Sequence, residues 1–311
     1  MSKPITQQSA PLLGIDWGTT NRRAYLLDEQ GELLRRHDDE CGILSVAGDF
    51  AKSLDGLLAE LKLDRVDVIM SGMVGSRNGW REVPYLEAGQ SLPRLSQAMH
   101  EIDAGRPDLR CRIVPGYRFS NAAGVPDVMR GEETQVLGAL SLAATDGWFL
   151  LPGTHSKWVL VQDGSIRDII TFMTGELFAL LKHHGTLASL MKEDESTVPA
   201  AFEAGLEAAR HGGFTHLAFT CRALVVTGAM PAAHASSYLS GLLIGAEMQE
   251  IRARAGAAGR MPVQLIGSPA LAARYVDALE IFGMAPSVWQ PDDVYVAALR
   301  VLAGITPLTL K

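Results

Sequence analysis

The chain has 311 residues, 47% hydrophobic and 20% charged, with 28 Lys and Arg against 35 Asp and Glu for a net charge of −7. Such a balance belongs to a globular chain with length for two ordinary domains, and it excludes a disordered polymer. No Lys/Arg block supplies the basic stripe of a nucleic-acid surface, and no apolar run approaches the roughly 20 residues that cross a bilayer.

Residues 1–10 are polar and lack the apolar core of a signal peptide, so a cytoplasmic protein is expected, with neither nucleic acid nor membrane as partner. Cys41, Cys111 and Cys221 are far apart, odd in number and without a CxxC pair. They read as reduced, mostly buried thiols rather than zinc ligands or a disulfide framework.

Leu12–Trp17 is an apolar strand, Gly18-Thr19-Thr20-Asn21 a turn, and Arg22–Leu27 an alternating strand that turns at residues 28–31 into a third strand at 32–36. Residues 46–62 predict an amphipathic helix, with Phe50, Leu54, Leu57, Leu58 and Leu61 at helical spacing. A buried strand at 66–70 runs into a glycine-punctuated loop at 71–80. Residues 112–115 predict another strand, and a helix starts at Glu132.

The opening pattern then returns: strand 148–152, turn Gly153-Thr154-His155-Ser156, strand 157–161, a turn at Asp163-Gly164 and strand 166–172. Gly18 matches Gly153, Thr19 matches Thr154, and Asp28 and Asp163 each lie ten residues after the matching glycine. A broken helical region at 175–256 precedes strand Val263–Ile266, the Gly267-Ser268-Pro269 break, a helix at 270–281 and a last helix at 291–303. Self-similarity on this scale points to two domains of related topology rather than a solenoid. The expected division is 1–120 and 121–311, with the boundary around residues 119–126 and the last helix crossing back to the first domain.

A Gly-Thr turn exposes successive backbone N–H groups with no bulky Cβ in the way, a concavity suited to phosphate oxygens. Two such turns would hold a triphosphate from both sides. Asp16, ending a strand at the same edge, either holds Mg²⁺ through water or caps the turn. No GxxxxGK[ST] and no GxGxxG after a strand is present, which excludes a P-loop and a dinucleotide fingerprint. Gly267-Ser268-Pro269 would let backbone approach a flat base or ribose. His183 and His184 are helix neighbours that point apart, so they share no metal.

Gly14-Ile15-Asp16-Trp17-Gly18-Thr19-Thr20-Asn21 resembles the first phosphate motif of the sugar kinase, Hsp70 and actin superfamily. Leu151-Pro152-Gly153-Thr154-His155-Ser156-Lys157 stands where its second phosphate motif belongs, and Leu265-Ile266-Gly267-Ser268-Pro269 where its adenosine motif belongs. Gly72-Met73-Val74-Gly75-Ser76-Arg77-Asn78-Gly79-Trp80, Asp127-Val128-Met129-Arg130-Gly131-Glu132-Glu133-Thr134-Gln135 and residues 152–158 resemble the 2-dehydro-3-deoxygalactonokinase family.

The resemblance covers nearly the whole chain. It implies an α/β fold of two similar domains of the sugar kinase/Hsp70/actin (ribonuclease H-like) type, each a mixed sheet with flanking helices, around a central cleft. It also implies ATP·Mg²⁺ and a six-carbon keto-deoxy sugar acid phosphorylated at its terminal hydroxyl; a homo-oligomer is compatible with it. Pro152 stands where the superfamily's second motif usually carries an acid, a departure from the pattern that bears on metal binding from that side.

In related sugar kinases the base is a carboxylate at the start of the helix leading to the second domain. Glu133, Glu132 and Asp127 are the candidates here. Glu132 and Glu133 fall on the first helical turn, where the helix dipole favours the ionised form a base needs. The same position is ordinary for capping acids. A chain of charge −7 needs a local cation for the sugar acid's carboxylate, and Arg77 and Arg81 are suited to grip it with paired hydrogen bonds. Trp80 and Tyr85 are expected to cover the sugar's apolar face, with Ser76, Arg130 and Glu176 as further expected substrate contacts. Lys157, after the second turn, is expected either to reach a phosphate or to be solvated, and His155 either to hydrogen-bond a phosphate or to fill the turn.

Overall fold

Leu12, Leu13, Ile15 and Trp17 are buried on both sides of the first strand, β1 (Leu12–Trp17), which makes it an interior strand. The computed structural model describes residues 10–191, 197–255 and 261–308; the polar start at 1–9 and the stretches 192–196, 256–260 and 309–311 lie outside the described residues. β1 pairs antiparallel with β2 (Arg22–Leu27), which pairs antiparallel with β3 (Leu33–Asp39). β3 is a charged edge strand, and an edge rich in Arg and Asp resists pairing with another chain.

The first helix, α1 (Phe50–Leu61), starts later than residue 46 because Ala47 and Gly48 take positive φ and Asp49 caps it, accepting the Lys52 N–H at 3.2 Å. It buries Phe50, Leu54, Leu57, Leu58 and Leu61 in one core with Trp17, Val68 and Met70. β4 (Asp67–Gly72) lies parallel to β1, Asp16 facing Ser71 in register. There follow β5 (Leu86–Glu87), α2 (Leu95–Ala98), β6 (His100–Ile102), β7 (Arg110–Ile113), β8 (Tyr117–Ser120), β9 (Pro126–Met129) and α3 (Glu132–Ser141). The main sheet runs β3-β2-β1-β4-β7-β6, and β5-β8-β9 form a separate small sheet.

The second half opens on β10 (Gly147–Leu151), β11 (Ser156–Gln162) and β12 (Ser165–Phe172). The helical region resolves into α4 (Thr174–His183), α5 (Gly185–Ala188), α6 (Pro199–Ala208), α7 (Phe214–Val226) and α8 (Ala235–Ala255). β13 (Val263–Ile266), α9 (Pro269–Ile281), β14 (Pro286–Trp289) and α10 (Pro291–Leu302) complete the chain. This sheet runs β12-β11-β10-β13-β14, with β10, β13 and β14 parallel. Its order matches β3-β2-β1-β4-β7, the repeat anticipated from the two Gly-Thr turns.

By compactness the chain divides into one unit of residues 1–146, 160–169 and 291–311 and another of 147–159 and 170–290. Residues 119–126, where the sequence suggests a boundary, fall inside the first unit, at the turn end of the hairpin formed by β8 and β9. α10 belongs to the first unit and packs against α3. Each unit is thus a mixed α/β sheet with helices. No helix among the described residues is long and apolar enough to cross a membrane. Cys111 and Cys221 are buried free thiols, whereas Cys41 is exposed.

Candidate active site

In the first unit, the ends of β1 and β4 and the start of α3 converge. The turn at 18–21 is closed by Gly18 N–H donating to the Asn21 carbonyl at 2.9 Å. Its outer carbonyls are used as well: Gly42, Ile43 and Leu44 N–H groups donate to Thr20, Gly18 and Thr19. No hydrogen bond among the described residues uses the N–H of Thr19 or Thr20, and Thr19, Thr20 and Asn21 are exposed. These are donors without acceptors, the local arrangement that binds an anion.

Asp16 pairs with Arg23 at 3.2 Å. Burial raises its carboxyl above the ordinary range, Arg23 works against that, and the charge of Glu132 adds to it. Two glycines make the convergence possible. Gly72 and Gly131 have φ of 88° and 114°, a region other residues enter at a cost. A Cβ on Gly131 would come within 3.2 Å of the Gly72 Cα.

The three candidate bases fall in different settings. Asp127 lies on β9 opposite Phe119 and takes the Val128 N–H at 2.7 Å, so it belongs to the small sheet rather than to the helix start. Glu132 is half-buried and accepts the Arg130 N–H at 3.0 Å. Glu133 is fully buried, and both its oxygens accept the Gly131 N–H, at 2.9 and 2.8 Å. The helix terminus was expected to keep this carboxyl ionised. Burial outweighs it and, with the neighbouring charge of Glu132, pushes the group up to about 8.

The loop after β4 separates its candidates. Arg77 and Arg81 are exposed and make no ion pair among the described residues. The Ser76 hydroxyl is turned back on the Met73 carbonyl at 2.7 Å. Trp80, expected to cover a sugar, packs inward instead: it stacks on Phe50 with ring centroids 6.1 Å apart and meets Trp17 edge-on at 6.4 Å. An indole packed against an aromatic core removes more apolar surface from water there than on an exposed loop. Tyr85 is exposed, and the buried Arg130 guanidinium lies 4.2 Å over its ring while donating to the Val83 carbonyl at 2.7 Å.

In the second unit the turn at 153–156 is fastened to the start of α4. Glu176 N–H donates to the Thr154 carbonyl at 2.9 Å, and a Cβ on Gly175 would run into the Gly153 carbonyl. His155 and Glu176 are paired at 2.6 Å, both partly exposed. The Gly153 and Thr154 N–H groups have no acceptor among the described residues.

Ser156 and Lys157 depart from the expected phosphate-facing role. The Ser156 hydroxyl donates inward to Glu247 at 2.7 Å, and the buried Lys157 donates to the Thr171 hydroxyl at 2.7 Å. The alternation of β11 sends Ser156 and Trp158 to the same covered side. Gly267 packs on Pro152 at the end of β10, while Ser268 and Pro269 are exposed at the start of α9.

Sequence reasoning passed over Glu247, a buried acid in α8 that accepts four hydrogen bonds. The available sign was a lone carboxylate between Ile244 and Met248 on an otherwise apolar stretch. It also passed over the Ser71–Tyr295 hydroxyl pair at 2.8 Å, which ties the end of β4 to α10.

A family model described as 2-keto-3-deoxy-galactonokinase matches residues 16–302. The chain is 35% identical over 301 residues to the 2-dehydro-3-deoxygalactonokinase of Escherichia coli (strain K12), across 95% of this chain and 98% of that one. The crystal structure of a Sinorhizobium meliloti protein carrying the same designation superposes with a TM-score of 0.86 at 34% identity, over 96% of this chain and 98% of that one. The chain belongs to the 2-keto-3-deoxy-galactonokinase family.

Proposed function

We propose that the chain transfers the γ-phosphoryl group of ATP to the terminal (6-) hydroxyl of 2-dehydro-3-deoxy-D-galactonate. The observation that carries this reading is the close approach of Gly131, whose N–H holds the perturbed Glu133 carboxyl, to Gly72, where an added Cβ would lie 3.4 Å from an Asp16 carboxylate oxygen. Perturbed carboxyls gather where chemistry is done. The family relationship supplies the substrate class.

In this reaction the substrate's 6-oxygen bonds to the γ-phosphorus, the bond from that phosphorus to the β–γ bridging oxygen breaks, and ADP leaves. The hydroxyl proton goes to a carboxylate. Glu133 is the residue we assign: a group that titrates at about 8 is matched to taking and returning a proton near neutrality. Its contact with the hydroxyl forms on substrate binding, in exchange for the Gly131 N–H.

The N–H groups of Thr19 and Thr20 in one turn and of Gly153 and Thr154 in the other supply uncommitted donors for phosphate oxygens. Asp16 is a single carboxylate, which suits Mg²⁺, an ion that keeps most of its water and takes phosphate oxygens for the rest. Bound there, Mg²⁺ would neutralise phosphate charge. Gly267, Ser268 and Pro269 are assigned to the adenosine, and Arg77 and Arg81 to the acid's carboxylate.

Incubation with ATP, Mg²⁺ and the keto-deoxy acid, followed by phosphorus NMR of the product, tests the reading. A phosphomonoester coupled to the C6 protons supports it; unchanged sugar acid with wild-type protein refutes it.

A further inference from the structure

Glu247 stands in the middle of α8 and is 2% exposed. One carboxylate oxygen accepts the Ser156 hydroxyl and the Trp158 indole N–H, both at 2.7 Å. The other accepts the Thr174 hydroxyl at 2.5 Å and the Tyr275 hydroxyl at 3.0 Å. All four donors are neutral, and no cation pairs with Glu247 among the described residues. A carboxylate placed inside a protein without a cation is unfavourable compared with an apolar side chain of similar size, even when its hydrogen bonds are made. An ordinary core position on α8 would take Leu or Met.

The donors come from segments that border the nucleotide elements. Ser156 is the last residue of the turn at 153–156, and Trp158 follows on β11. Thr174 is the first residue of α4, directly before Gly175 and Glu176, which hold the other side of that turn. Tyr275 lies on α9, the helix that opens after Gly267 and Ser268. One carboxylate therefore joins the second turn, the helix against which it closes and the helix of the adenosine motif.

We propose that Glu247 is a positioning residue for nucleotide binding: it fixes the turn at 153–156 relative to α9, so that the Gly153 and Thr154 N–H groups and the Gly267-Ser268-Pro269 backbone address one ATP molecule. This rests on the kinase reading of those two elements. Glu247 does not touch the nucleotide; it acts through Ser156, Thr174 and Tyr275. Replacing it by Gln keeps the size but removes acceptor capacity, because the amide nitrogen cannot accept from a hydroxyl. The turn is then held by fewer bonds and presents its donors less accurately.

The test measures ADP affinity by calorimetry, and KM for ATP and for the keto-deoxy acid, in the full chain and its variants. Glu247→Gln is expected to raise the ADP Kd and the ATP KM about tenfold, the range found when a group one layer behind a ligand is removed, with KM for the sugar acid unchanged. Tyr275→Phe, a milder change that leaves the carboxylate in place, moves the same two quantities in the same direction and carries the test if Glu247→Gln does not fold. Thr174→Val also weakens ADP binding, and Thr174→Ser, which keeps the hydroxyl, restores it. If the folded variants bind ADP as wild type does and only their thermal midpoints fall, Glu247 is structural and the proposal is overturned. Wild-type protein that binds no adenine nucleotide would overturn the kinase reading and this proposal together; normal ADP affinity in the variants overturns this proposal alone.

Discussion

Glu133 and Gly131 form a closed unit at the start of α3: both oxygens of the buried carboxyl accept the same backbone N–H, at 2.9 and 2.8 Å. The pairing holds the carboxyl inside the protein at Gly131, the residue whose added Cβ would come within 3.2 Å of the Gly72 Cα, rather than letting it turn to solvent. Glu133→Gln should keep the fold and lower kcat by about two to four orders of magnitude, the usual contribution of a general base. Glu132→Gln should cost less than tenfold in kcat on the same scale. Steady-state kinetics of the two variants check this, and the opposite ranking would make Glu132 the base.

The raised Glu133 carboxyl also fixes two pH dependences of opposite sign. A base must be deprotonated to act, so kcat/KM should climb with pH along an acid limb ending near the group's value of about 8. Stability runs the other way. The folded state holds a proton that the unfolded chain releases near 4.5, so this group's contribution is fully present below that pH and is lost as pH rises through about 8. Thermal midpoints of wild type and Glu133→Gln, measured from pH 5 to 9, should therefore diverge, with the variant gaining relative stability at the alkaline end. Parallel curves would mean Glu133 is not buried as a neutral acid.

Local chemistry was legible in the sequence and long-range closure was not. The turns at 18–21 and 153–156, the strands around them and the span of α9 were readable because hairpin turns and helix starts are specified by adjacent residues. The β5-β8-β9 sheet was missed because β5 is two residues long and pairs with β8 some thirty residues on, without a periodic pattern of its own. Trp80, in a loop between Arg77 and Arg81, reads as a cover for the sugar's apolar face, and nothing near it in sequence announces Phe50, against which it stacks. Glu247 gathers donors from residues as far as 91 positions away, so no local motif contains it.

Arg77 and Arg81 are exposed cations without an acidic partner among the described residues. If they take the acid's carboxylate, Arg77→Ala should raise KM for the keto-deoxy acid about tenfold or more, since a charge-assisted hydrogen bond is worth about 1.5–3 kcal/mol. KM for ATP should stay within twofold. Equal changes in both constants would assign Arg77 to general loop order instead.

Arg22 is buried at the start of β2 and makes a 2.5 Å contact with Asp39, two bonds to Ser53 and a stacked contact over Trp17. Burial works to raise the Asp39 carboxyl, but the bonds from Arg22 and from the Cys41 N–H outweigh it and hold it below its usual range. Arg22→Ala should destabilise the fold by about 3 kcal/mol, because Asp39 loses its partner while remaining partly buried. The contribution is present above the unfolded carboxylate's pKa and lost as pH falls through the lower folded value. Denaturant melts of wild type and variant at pH 7 and pH 3 should show the difference shrinking in acid; a constant difference would assign the cost to packing on Trp17.

The most direct test of the central claim is ADP release with ATP and Mg²⁺, alone and with 2-dehydro-3-deoxygalactonate, its gluconate epimer or galactose. A sugar-acid kinase of this family should turn over ATP rapidly only with a keto-deoxy acid present, and the galactonate epimer should be preferred. ATP hydrolysis at the same slow rate with every acceptor would contradict the account and describe a nucleotide-switched binding protein.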